Sequence, residues 1–224
     1  MYERRAASRL RASGIIGVVI PAIAFVFIVL SILTYPQFSW TKNALSDLGV
    51  VAGVTAVLFN FGLILSGFLT IFFAIGLYTF LNKNIIGKVG ATIFVTAGVA
   101  LIGIGLATEN VHAFNFPWHY FFSVAFFALV PIGLLVIAGY FFITSTRYLA
   151  AFTLLIAVLA AAPWILYFQV QYVPGVAIPE LISSLAASAW TVRVGWEMYT
   201  TGTTIYRAVS QPTSPLNKTL FREK

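Results

Sequence analysis

The chain contains no cysteine. This excludes disulfides, thiol nucleophiles and Cys-ligated zinc or iron–sulfur centres, and it leaves the redox compartment unreadable. Histidine is nearly as scarce, with only His112 and His119. A haem held between two helices would need both, and a two-haem cytochrome is excluded by count. Charge is in short supply as well: 8 % of the 224 residues are charged, against about 25 % in an ordinary soluble domain, and only six are acidic. A chain with so few charges cannot present a solvated surface.

Hydrocarbon fills the place of charge. Apolar residues make up 60 % of the sequence, and they are gathered into runs. Crossing a hydrocarbon layer of about 30 Å takes about 20 residues at 1.5 Å each. Six stretches reach that length, near 14–35, 54–81, 89–107, 119–144, 149–170 and 178–205. Lipid offers no partner to backbone N–H and C=O groups, so each stretch is expected to be a helix. The fold class expected is all-α, a polytopic transmembrane bundle of six helices over 1–206, followed by a flexible cytoplasmic tail over 207–224 rich in Pro, Ser and Thr. The first run exceeds the apolar core of a cleavable leader and no A-x-A-like exit follows it, so it reads as a signal anchor.

The net charge of +7 would suggest nucleic acid in a soluble protein, but here position decides. Counting alternate loops from a cytoplasmic N-terminus places eleven lysines and arginines inside, among them Arg4, Arg5, Arg9, Arg11, Lys83 and Arg147, and Lys42 alone outside. That asymmetry orients the chain in the cell membrane with both termini cytoplasmic, and it removes nucleic acid from the list of partners. Asp47, Glu109, Glu180 and both histidines then share the outer face. Three spans followed by three of opposite sense would permit an inverted repeat. Pro21 and Pro131 in the first span of each half are its only sequence support.

The most polar short stretch between two apolar runs is SWTKNALSDLG, residues 39–49. Within it Trp40, Ala44, Leu45 and Leu48 recur at i, i+4, i+5 and i+8, with Ser39 placed as an N-cap and Gly49 as a C′ residue. The pattern predicts a short interfacial or re-entrant helix after the first span, closing a polar pocket. The segment Asn43-Ala-Leu-Ser46-Asp47-Leu-Gly49, with Phe59-Asn60-x-Gly62 and Gly76-Leu77 further on, resembles the archaeal and bacterial membrane-protein family known as domain of unknown function 998. His119 in Phe-Pro-Trp-His is similar to a histidine of that family, and the match near Glu180 is weaker. The resemblance implies a multi-span bundle and no established activity.

The candidate ligand-binding residues are therefore Asn43, Ser46, Asp47, Glu109, His119 and Glu180. Carboxylates with imidazoles suit zinc or similar ions, but Glu109-x-x-His112 is half of what a di-iron bundle uses, and no metal or other cofactor is assigned. Ser46 and Asp47 with a histidine from another loop are the raw material of a lipid-directed hydrolase or transferase, although no nucleophile elbow frames the serine. Equally, Asn43, Ser46 and Asp47 are residues that satisfy backbone donors of their own turn. Glu180 after Pro179 fits the first turn of a helix, where the dipole favours a carboxylate. Arg193 and Glu197, four apart within the last span, form a structural pair or an inner-leaflet lipid site. Asn60, Gly62, Ser66 and Gly67 against Gly98, Gly103 and Gly105 suit close helix packing. Three roles are open: a pocket for a lipid or small polar ligand, an accessory subunit held to membrane-protein partners or to further copies of itself, and the hydrolase.

Overall fold

The computed structural model describes residues 2–111 and 113–210. Six long helices account for most of them, and no strand occurs among the described residues. They are α1 (Tyr2–Leu33), α2 (Val54–Phe80), α3 (Ile85–Leu106), α4 (Trp118–Ile143), α5 (Arg147–Val170) and α6 (Ala177–Ser210). Each packs on the next in sequence, and α6 returns to pack on α1, so the helices form a closed ring. One end of the bundle, the termini end, carries the start of α1, the end of α6 and the short loops after α2 and α4. The other carries the loops after α1, α3 and α5, and is called the cap end below.

The composition of the faces follows from the solvent. The helices turn Val57, Phe72, Leu135, Leu155 and Ile165 outward, each at least half exposed, while Phe73, Leu77, Leu134, Ile137 and Trp190 are fully buried. A bundle apolar inside and out is at home in hydrocarbon. Five helices, α1 to α5, are long and apolar enough to cross a membrane. Of the six spans expected from the sequence, five meet that measure. α6 has 34 residues, about 51 Å at 1.5 Å each, but Glu180, Arg193, Glu197, Arg207 and many hydroxyl residues keep it below the apolarity of the others.

Apolar side chains gain little by leaving lipid for each other, so close backbone approach holds such helices together. α1 and α6 run antiparallel and touch at glycines: a Cβ on Gly14 would lie 2.6 Å from the carbonyl oxygen of Gly195, and one on Gly195 2.7 Å from that of Gly14. α2 and α3 meet in the same way, with a Cβ on Gly67 falling 2.7 Å from the carbonyl of Gly98. At the termini end the arginines of α1 lie along α6. The Arg4 guanidinium donates to the Tyr206 hydroxyl at 3.4 Å, and Arg4 and Arg11 both stack over that ring.

The expected helix over 40–48 does not form. Residues 40–42 form a turn, residues 43–45 are irregular, and only Ser46–Gly49 makes a short 3₁₀ helix. The reason is diversion of backbone partners. A helix would pair Leu45 N–H with Thr41 C=O, but the Gly175 N–H donates to Thr41 C=O at 2.8 Å and Leu45 N–H donates to the Glu180 carboxylate instead. Asn43 C=O is likewise taken by the Ala177 N–H at 2.9 Å. Trp40 is accordingly exposed, its ring edge-on to Phe38, while Leu45 and Leu48 are buried beside Ile28, Phe59 and Ala177.

Candidate functional site

The cap is built by three polar side chains that each hold a different stretch of backbone. Asp47 Oδ2 accepts from the Asn43 side-chain amide at 2.6 Å and from the Ala44 N–H at 3.1 Å. Asn43 in turn accepts from the Ser39 N–H through Oδ1 at 2.9 Å. Together they close the turn that the sequence of these residues favours. Asn60, one and a half turns into α2, donates from its side chain to the Gly49 C=O at 2.9 Å. Gly49 must be small here, since a Cβ would fall 2.6 Å from the Asn60 amide oxygen.

Glu180 is the third. It stands in the first turn of α6, yet its carboxylate reaches across to the cap, where Oε2 accepts from the Leu45 N–H at 2.6 Å. Residues 45 and 180 are thereby joined across most of the chain. A carboxylate that is 6 % exposed needs such donors, because burying an unsolvated charge is costly. No basic side chain pairs with it among the described residues, and two further acids, Asp47 and Glu109, lie within its electrostatic reach.

The third loop brings Glu109 to His119, with Oε1 and Nε2 3.7 Å apart. The Nδ1 of that ring lies 2.9 Å from the Ala107 C=O, an acceptor only, so Nδ1 carries a proton. Nε2 faces Ser123 Oγ at 3.4 Å as well as Glu109. Neutral, the ring accepts from the serine; protonated, it pairs with the carboxylate.

Beneath the cap lies a cavity of about 120 Å³ between α1, α2, α3, α4 and α6. Its walls are apolar, with Ile28, Phe59, Leu63, Leu101, Ile104 and Phe126 among them. A polar strip runs down one side: Glu180, Ser184, Ser188 and Thr191 recur at i, i+4, i+8 and i+11, a single face of α6. Ser46 and Ser123 add hydroxyls near the mouth, and Ser66 and Thr70 add two more from α2. Below Thr70 the space ends. Phe73 fits against Gly17, and Trp190 stacks on Phe94 with centroids 4.7 Å apart while donating to Thr153 Oγ1 at 3.1 Å. The cavity is a blind pocket with its one carboxyl group, Glu180, at the cap end and hydroxyls spaced along its depth.

Residues 18–197 match the profile of a family described as a protein of unknown function, DUF998. The chain belongs to the DUF998 family. No curated protein and no solved structure matches it. The matched region of this DUF998 chain contains the cap, the Glu109–His119 pair, Glu180 and every cavity-lining residue. It leaves out the arginine cluster at the start of α1 and Arg207.

The candidates read from the sequence thus fall into two groups. Asn43, Asp47 and Glu180 are joined in one hydrogen-bonded cap, and Ser46 and Glu180 line the cavity beneath it. Glu109 and His119 pair with each other at the edge of this group. The hydrolase constellation is not assembled: Asp47 is spent on the cap, the His119 ring bonds Ala107 and Ser123, and no hydrogen bond joins Ser46 to either among the described residues. His112 lies outside the described residues, as does the tail beyond Ser210. Among the described residues no three His, Asp or Glu side chains gather closely enough to hold a metal ion.

Arg193 and Glu197 are a separate feature. Arg193 Nη2 and Glu197 Oε1 are 2.5 Å apart, and the guanidinium lies over the Tyr148 ring at the start of α5. This pair is at the termini end, as its distance along α6 foretold. Sequence reasoning missed Ser123, Ser184, Ser188 and Thr191, and assigned Ser66 to helix packing alone. The signal available was the helical spacing of hydroxyls from Glu180 down α6, a polar face inside an otherwise apolar helix.

Proposed function

We propose that this DUF998 protein is a six-span membrane protein, with α6 completing the bundle, that binds the apolar chain of a membrane amphipath in the blind cavity and its headgroup under the cap. The observation that carries the reading is the cavity itself: mostly apolar walls relieved by a line of hydroxyls, with Ser46 and the one ionisable side chain, Glu180, at one end. That polarity profile matches a molecule with one wet end and one oily end, and few polar groups at fixed points in an apolar pocket are what small-ligand sites require. In the orientation proposed, the cap faces out of the cell and both termini are cytoplasmic. This sets Arg4, Arg5, Arg9, Lys83 and Arg147 on the cytoplasmic side and Asp47, Glu109 and Glu180 on the other. The Arg193 guanidinium beside Glu197 then reaches the inner headgroups. No turnover belongs to the proposal.

Orientation has a direct check. Cysteines placed at Ser46 and at Arg147 in intact cells are expected to react in opposite compartments, the first with an impermeant maleimide only after local loosening of the buried cap, the second only after lysis. Labelling of both from outside overturns the topology.

The cavity is tested by filling it. Ala24→Phe and Ala187→Phe each introduce a ring where the structure has space between lining side chains. Native mass spectrometry of the protein released from membranes is expected to show a co-purifying lipid in the wild type and a several-fold loss of it in either variant, with thermal stability held or raised. Lipid retained at the wild-type level in both variants sinks the reading.

A further inference from the structure

We propose that the cleft between the start of α1 and the end of α6 holds a membrane lipid whose headgroup carries a second phosphate, clasped by Arg4 and Arg9 beside Tyr206. The site lies at the termini end, opposite the cap, and does not depend on the cavity. Arg4, Arg5, Ser8 and Arg9 line this open cleft of about 690 Å³ together with Tyr206. Positions 4, 5, 8 and 9 fall on one side of a helix, so two successive turns present three guanidiniums together. Like charges four apart on a helix repel, as at Arg5 and Arg9, and cations near a helix start oppose its dipole. Glu3 is the one acid among residues 2–13, and Arg207 adds positive charge near the end of α6. No carboxylate forms an ion pair with Arg4 or Arg9 among the described residues. An anion from outside the chain relieves both sources of repulsion.

Orientation in a bilayer asks only for positive charge, which lysine supplies as well as arginine. The four basic residues ahead of the first apolar run are all arginines, whereas the loop after α2 uses Lys83. A guanidinium fork grips a phosphate at two points, as an ammonium cannot. The geometry is also fixed. The Arg4 guanidinium lies 5.3 Å from the centre of the Tyr206 ring and donates to its hydroxyl, and Arg11 lies 5.3 Å from the same ring. Tyr206 thereby holds a long side chain in place before any ligand arrives, which lowers the ordering cost of binding. The remaining donors of that fork are left for the ligand.

Depth calls for the second phosphate. Counting about 20 residues back from Leu33 covers the hydrocarbon and ends at Gly14, so Arg9 lies about 8 Å and Arg4 about 15 Å beyond it along α1. The headgroup layer is about 5–8 Å deep on each side. The phosphate that joins headgroup to glycerol is thus level with Arg9. A phosphate further out on the headgroup is needed to meet Arg4.

The test uses the full chain in phosphatidylcholine nanodiscs doped with phosphatidylinositol or with phosphatidylinositol phosphate, which differ only in the outer phosphate. Lipid retained on the protein is read by native mass spectrometry. The wild type is expected to favour the phosphorylated lipid roughly tenfold, the size of one charge-assisted contact. Arg4 is exposed, so Arg4→Gln leaves the packing intact, and in it the preference is expected to disappear. Arg4→Lys keeps the charge without the fork and should retain only part of it. Lys83→Gln removes the same charge from the same end and should leave the preference whole. Equal retention of the two lipids by the wild type overturns the proposal, as does a preference that survives in Arg4→Gln. A loss in Lys83→Gln as large as in Arg4→Gln also overturns it, because the total charge of this end is then what attracts the lipid. Inorganic pyrophosphate separates the two sources of phosphate. Added at the concentration of the lipid, it is expected to displace little of it, whereas full displacement makes a soluble anion the occupant and overturns the lipid assignment.

Discussion

Replacing Trp190 with alanine is expected to cost about 3–5 kcal/mol of stability and to lengthen the cavity at its blind end. The indole is fully buried, stacked on Phe94 with centroids 4.7 Å apart and edge-on to Phe73 at 6.1 Å. In a bilayer the transfer part of that cost shrinks, since lipid is as apolar as the core, and the packing part remains. Loss of the bond to Thr153 adds about 1 kcal/mol. Trp190→Phe keeps the stacked ring and forgoes the hydrogen bond, so it should fall between the two. Thermal unfolding of the detergent-solubilised protein measures the order wild type, Phe, Ala. The same substitution tests function, because removing the floor should shift binding toward longer alkyl chains. An alanine variant as stable as the wild type would contradict the packing described.

The second large effect is expected at Asp47. One carboxylate oxygen accepts from both the Asn43 side chain and the Ala44 N–H. Bonds to a charged acceptor contribute about 1.5–3 kcal/mol each, so Asp47→Ala should release the turn while leaving the helices paired. The readout is local. Protease added to nanodisc-embedded protein is expected to nick the Asp47→Ala variant within residues 36–53 and to spare the wild type there, with the unfolding midpoint of the bundle lowered only modestly. Asp47→Asn, whose amide oxygen can still accept from both donors but without the charge, should be nicked at an intermediate rate. A wild-type cleavage pattern in Asp47→Ala would show that Glu180 and Asn60 suffice to hold the cap.

How much of this was legible beforehand differs residue by residue. The Arg193–Glu197 pair and its place toward the termini end follow from a spacing of four on one helix and a rise of 1.5 Å. The glycines of α2 and α3 announce close approach because nothing else lets backbones meet in lipid. Segment 39–49 misled in a specific way. Its apolar spacing is helical, but the groups that would bond within the helix are claimed by Gly175, Ala177 and Glu180, which lie more than a hundred residues away. Local periodicity carries no information about such competitors. The polar face of α6 was written in the sequence as Glu180, Ser184, Ser188 and Thr191, yet hydroxyls in membrane helices commonly bond their own backbone, so the spacing alone does not announce a cavity.

The sequence by itself determined the solvent of this protein, its helical class and the gathering of its basic residues toward one end. These follow from summed hydropathy and from charge counts, which need no knowledge of what touches what. Only the tertiary structure decided that the ring closes between α1 and α6, that Glu180 is spent on Leu45 rather than on its own helix, and that a blind cavity opens beneath the cap. Those depend on contacts between residues distant in the chain, whose geometry is set by helix packing and not by any local pattern.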